Sequence, residues 1–89
     1  MRTTWTLEAS SFSDQLDDAA RGRISAAIGQ LERGDLPPAL LVPMHSQPGL
    51  YRLRVGPDIR ILFSRTPDGI RIVDIVKRSQ IDHLRKSVG

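Results

Sequence analysis

Leu50-Tyr51-Arg52-Leu53-Arg54-Val55, then Gly56-Pro57-Asp58, then Ile59-Arg60-Ile61-Leu62-Phe63-Ser64 alternates in side-chain character with a period of two on either side of a turn. That period belongs to strands, because successive side chains of extended backbone point to opposite faces. In the first run Tyr51, Leu53 and Val55 share one side, and Arg52 and Arg54 the other. In the second, Ile59, Ile61 and Phe63 lie opposite Arg60 and Leu62. If the apolar sides meet a core, the three arginines share the other face of one sheet. A third run, Ile70–Val76, follows Thr66-Pro67-Asp68-Gly69, where Pro67 fixes φ near about −65° and Gly69 suits a left-handed backbone. The three runs make a β-meander. The third is apolar on both sides, which fits a central strand and leaves its orientation open, and Lys77-Arg78 closes it.

Toward the N-terminus, Met1–Leu7 carries Thr3, Thr4, Trp5 and Thr6 and reads as a first strand with Trp5 and Leu7 on one face. Ser10 or Ser11 can cap a helix that holds Phe12 and Leu16 one turn apart. Asp17 or Asp18 can cap a second, in which Ile24, Ala27, Ile28 and Leu31 form an apolar stripe ending before Gly34. Residues 34–49 contain Pro37, Pro38, Pro43 and Pro48, so this stretch is expected to be an ordered connection, neither helix nor central strand, with Leu36, Leu40, Leu41, Val42 and Met44 against the core. A short helix is expected near Gln80–Val88. The expected architecture is α+β: an N-terminal strand and a helical hairpin packed on one face of a mainly antiparallel four-stranded sheet, with a short C-terminal helix. The second sheet face is left free.

The composition narrows what that face can do. Eighty-nine residues suffice for one core, and the absence of cysteine removes disulfide scaffolds, thiolate metal sites and thiol catalysis. The apolar run Ala39–Val42 is far short of a membrane span, and Met1–Ser10 lacks a signal-peptide pattern, so a cytoplasmic protein with no membrane partner and no cofactor is expected. The net charge is +3, unevenly spread: residues 1–45 carry four arginines and six acids, and residues 46–89 nine bases and four acids. Arginine presents a planar fork that suits phosphate oxygens, so the basic half favours a polyanionic partner.

The order of these elements, with Leu50–Gly56, Ile59–Phe63, Ile72–Val76 and Lys77-Arg78 in sequence, resembles the RelE/ParE superfamily of toxins over nearly the whole chain, residues 1–89, as one toxin domain. The resemblance to the RelE-like branch implies the toxin of a type II toxin–antitoxin system, a metal-independent endoribonuclease that cuts mRNA on the ribosome and inhibits translation. It implies a cognate antitoxin as partner, with operator DNA bound only through that antitoxin. In this likeness Arg60 falls on the phosphate-binding arginine and Arg78 on the basic residue that closes the last strand. Arg52 and Arg54 fall on an alternating basic pair that grips RNA, with Lys77 and Arg85 as further RNA contacts. A tyrosine frequent in such nucleases, six residues beyond the strand-closing arginine, is here Leu84, while His83 stands beside it. An imidazole exchanges protons near neutrality, so His83 is the candidate acid or base.

Other readings stay open. A ParE-like inhibitor of DNA gyrase shares the fold without needing the RNA-cutting set, and a weakly active member could be kept for antitoxin binding and operon repression. The arginines could be solvated surface groups, Arg78 could pair with Asp74 or Asp82, and His83 could be a surface or packing histidine. His45 is expected to be structural, Tyr51 and Trp5 to be core aromatics, and Asp14, Asp17 and Asp18 to supply a cap and a solvated face.

Overall fold

The computed structural model describes residues 2–36, 40–45 and 47–79. The expected C-terminal helix, with His83, Leu84 and Arg85, lies outside them. Seven elements follow one another: β1 (Arg2–Trp5), α1 (Leu7–Asp14), α2 (Asp18–Arg33), β2 (Leu41–Pro43), β3 (Leu50–Val55), β4 (Ile59–Thr66) and β5 (Gly69–Lys77). The sheet has five strands in the order β1-β5-β4-β3-β2, not the four expected. β1 is parallel to β5 and every other pair is antiparallel. The additional strand, β2, comes from the proline-rich connection. It is three residues long and sits at an edge, where Pro43 needs no ladder partner on its outer side.

The helical pair covers one sheet face. Ile24, Ala27, Ile28 and Leu31 of α2 are buried, as their spacing requires, against Leu53, Val55, Ile59, Ile61 and Phe63 of the central strands. Asp17 caps α2 by accepting from the Ala20 N–H at 2.8 Å, and Gly34 ends it with φ 71°, a backbone that costs glycine little. α1 starts earlier than expected: Thr6 is its cap, not Ser10 or Ser11. Leu7 therefore begins a helix and is 78% exposed, and Trp5 is 39% exposed, so neither is a core residue.

A bulge resolves the orientation of β5. Leu62 stands opposite Asp74 and Phe63 opposite Ile72, which leaves Val73 as an extra residue and restores the inward phase. Ile70, Ile72 and Ile75 thus all enter the core, which a strict two-residue period forbids for the last two. Thr6 holds this irregularity in place. Its N–H donates to the Ile72 carbonyl at 3.0 Å, its hydroxyl donates to the Val73 carbonyl, and the same oxygen accepts from the Ala9 N–H at 3.2 Å. Among the described residues no helix is long and apolar enough to cross a membrane.

Candidate functional site

The strand register places the arginines. Arg54 lies directly opposite Arg60 across β3 and β4, Arg52 opposite Leu62, and Arg60 opposite Val76 on β5. Directly paired residues share a face, so Arg52, Arg54 and Arg60 stand together on the side away from the helices. Asp74, opposite Leu62, joins them on that side. Arg78 follows the end of β5, and its N–H donates to the Asp58 carbonyl at 2.7 Å, which ties it to the turn between β3 and β4.

Arg60 is not the solvated surface group that alternation alone allows. It is 8% exposed, and its Nη1 donates to the Ile59 carbonyl at 2.8 Å and the Gly56 carbonyl at 3.2 Å. The guanidinium is thereby fixed by neutral acceptors and keeps its full positive charge. Burial pushes its pKa below the ordinary arginine value, and the neighbouring charges of Arg54, Arg52 and Arg78 push it the same way, with Asp58 opposing. Register puts Arg54 opposite Arg60 and Arg52 two residues along the same strand face, and Arg78, tied to the β3–β4 turn, lies near enough for its charge to act on Arg60. Their side chains make no ion pair among the described residues. The Asp74 carboxylate, one of the two expected alternatives for Arg78, instead accepts from the Ile75 N–H at 2.8 Å.

The remaining candidates separate. Lys77 lies opposite Ile59, so its side chain leaves β5 on the helix side, away from the arginine cluster. His83 and Arg85 lie outside the described residues. Tyr51 stacks on Phe63 with ring centroids 5.6 Å apart, as a packing aromatic, and Arg65 lies 5.7 Å from its ring centre. His45 is exposed. A cleft of about 390 Å³ lies on the opposite side of the molecule, between β1 and the helices, lined by Trp5, Ile24 and Ile28 among others, and contains none of the clustered arginines. Among the described residues no helix packs over the arginine side of the sheet, where Arg54 is exposed and Arg52 half-buried, a shape that suits an extended chain of phosphates better than an enclosed small molecule.

Sequence reasoning missed Asp74 on this face, because the orientation of β5 depends on the bulge at Val73. It also missed that Arg60 is buried, since alternation sets the direction of a side chain and not where a long one ends.

No family model matches the sequence, and no curated protein matches it. Solved structures do. The RelB–RelE antitoxin–toxin complex from Methanococcus jannaschii matches with a TM-score of 0.69 at 20% identity, covering 88% of this chain and 93% of that one. YafQ from E. coli strain BL21(DE3) matches at 0.70 and 17%, covering 90% and 96%. The chain has the RelE-like toxin fold. The YoeB–YefM complex from Staphylococcus aureus extends the set at 0.69 and 15%, covering 85% and 94%. The RelE-like fold is thus matched over almost its full length, with little residue identity beneath it.

The cluster has a cost for the fold. Like charges placed directly across a strand pair repel, and Arg54 is the exposed partner of its pair with Arg60. Arg54→Gln is expected to raise stability by about 0.5 kcal/mol at low salt, with a gain that shrinks in roughly 1 M salt as the repulsion is screened. Thermal melts at both salt concentrations measure this; a lower melting temperature for the variant at low salt contradicts the repulsion.

Proposed function

We propose that this protein is the toxin of a type II toxin–antitoxin pair and acts as a ribosome-dependent mRNA endonuclease, restrained by a cognate antitoxin. The supporting observation is the grouping of Arg52, Arg54 and Arg60 on the sheet face away from the helices, with Arg78 following β5 beside the β3–β4 turn and Arg60 held by carbonyls without an ion pair among the described residues. The RelE-like fold is consistent with it, since its structural neighbours include antitoxin–toxin complexes.

In the proposed reaction an RNA 2′-hydroxyl loses its proton and attacks the adjacent phosphorus. The bond from phosphorus to the 5′-oxygen breaks, and that oxygen takes up a proton. Negative charge builds on the non-bridging oxygens between these events, and buried or clustered guanidinium groups stabilise it. Arg60 and Arg78 are assigned this task, with Arg52 and Arg54 gripping the backbone. Arginine stays protonated at neutral pH and is a poor base, so proton transfer is assigned to His83.

The test is purified protein with translating ribosomes and a defined mRNA, mapping cleavage, beside a gyrase supercoiling assay. Cleavage of mRNA with unimpaired supercoiling is expected. Inhibited supercoiling with intact mRNA overturns the nuclease reading in favour of gyrase, and the absence of both effects leaves a protein kept for antitoxin binding. His83→Ala is expected to lower cleavage at least about tenfold, within the usual range of general acid–base contributions. Unchanged cleavage removes His83 from the mechanism.

A further inference from the structure

Three arginines project from α2, and the sequence treats one of them differently. Arg21 pairs with Asp18 one turn earlier, and Arg33 pairs with Asp35 at 3.2 Å. Arg23 has alanine at every position three and four residues away, Ala19, Ala20, Ala26 and Ala27, so its own helix offers no carboxylate. It is exposed and makes no ion pair or hydrogen bond among the described residues. Its side chain reaches instead to the turn between β3 and β4, where Nε lies 4.0 Å from the position a Cβ would occupy on Gly56.

That turn is where the arginine cluster converges. The Gly56 carbonyl accepts from Arg60, the Asp58 carbonyl accepts from the Arg78 N–H, and Arg54 stands opposite Arg60 just before it. Basic residues of α2, β3, β4 and the end of β5 therefore abut one three-residue loop. The geometry points to Arg23 as a further RNA contact: it carries the basic track of the sheet face around the β3–β4 turn onto the helical layer, where it holds a backbone phosphate of single-stranded RNA. This extends the reading of the sheet face as an RNA site and rests on it. A guanidinium with no carboxylate to satisfy it binds a phosphate without first breaking an ion pair, whereas Arg21 and Arg33 must give one up.

Binding of a fluorescein-labelled single-stranded RNA of about twelve nucleotides, a length within the range such surfaces occupy, tests this by anisotropy across about 50–200 mM salt. Arg23→Ala is expected to weaken binding roughly three- to tenfold at the lowest salt and to reduce the slope of log K against log salt by about 0.7, the loss of one single-strand phosphate contact. Arg23→Lys, which keeps the charge, should recover most of the slope, and Arg33→Ala should match the wild type in both quantities. A change in slope separates a phosphate contact from a mere loss of fold. If Arg54→Ala and Arg60→Ala weaken binding and Arg23→Ala leaves affinity and slope unchanged, the Arg23 inference fails and the RNA reading of the sheet face stands. If none of the three variants changes binding, that reading fails as well.

Discussion

Arg60→Ala is expected to reduce mRNA cleavage by at least about 100-fold, the usual cost of removing one donor aimed at a developing oxyanion. The expectation follows from how the guanidinium is held. Nη1 is committed to the Ile59 and Gly56 carbonyls, which orients the planar group, and among the described residues no carboxylate forms an ion pair with it. Arg54, Arg52 and Arg78 add positive potential around it. A phosphate arriving at this face meets a charge already in place, so little reorganisation is needed at the moment of reaction. Arg60→Lys should not rescue the rate above about a tenth of the wild type, because an ammonium that donates to both carbonyls keeps a single N–H for the phosphate, whereas the guanidinium, with both carbonyl bonds on Nη1, keeps its Nη2 and Nε donors in one plane. The structural cost is smaller. Loss of the two carbonyl bonds destabilises, relief of the repulsion with Arg54 offsets part of it, and a net loss of about 1–2 kcal/mol is expected. Rates measured below the melting temperature of each variant keep the two effects apart. Cleavage by Arg60→Ala within threefold of wild type, on a folded protein, would exclude Arg60 from contact with the reacting phosphate.

The parts of this fold that depend on a repeating pattern could be read from the residues. Alternation in Leu50–Val55 and Ile59–Ser64 fixed the faces of β3 and β4, and the spacing of Ile24, Ala27, Ile28 and Leu31 fixed the buried side of α2. The parts that escaped depend on single events. β2 is too short to show a period, and its residues Leu41, Val42 and Pro43 look the same in a strand as in a connection. One extra residue, Val73, reverses the inward phase within β5, so a run that is apolar on both sides needs the partner strand to orient it. Thr6 caps α1 ahead of Leu7, whose exposure hides the helix start from any search for an apolar stripe. The candidate site follows the same division. Its arginines on β3 and β4 were legible from alternation, whereas the contribution of Arg23 depends on its side chain reaching from α2 to the β3–β4 turn, a tertiary fact that no local pattern carries.

Gly69 joins that second group, and its replacement is expected to have the largest effect on stability. As the last residue of Thr66-Pro67-Asp68-Gly69 it was expected to need a left-handed backbone, yet positive φ angles among the glycines fall at Gly34, Gly49 and Gly56. The constraint is space. Gly69 lies opposite Arg2 in the parallel pairing of β1 with β5, and the Arg2 N–H donates to the Asp68 carbonyl at 2.9 Å. A Cβ on Gly69 would sit 2.0 Å from the Arg2 carbonyl oxygen and 2.6 Å from its nitrogen, both backbone atoms that no rotamer change can move. Gly69→Ala must therefore push β1 away from β5. With β1 goes Thr6, which caps α1 and bonds the Val73 carbonyl at the bulge, so the damage spreads to two further elements. A loss of at least about 3 kcal/mol is expected, at the severe end for one added methyl group because the clash is with main chain. At about 4–8 °C per kcal/mol for a domain of this size, the melting temperature should fall by roughly 12 °C or more. Gly22→Ala provides the opposite sign. Nothing lies within 4 Å of a Cβ there, the residue is inside α2, and alanine should stabilise by about 0.5–1 kcal/mol. A Gly69→Ala protein that melts within 2–3 °C of the wild type (well under 1 kcal/mol) would show that β1 does not pass beside this residue, and the coupling through Thr6 would fall with it.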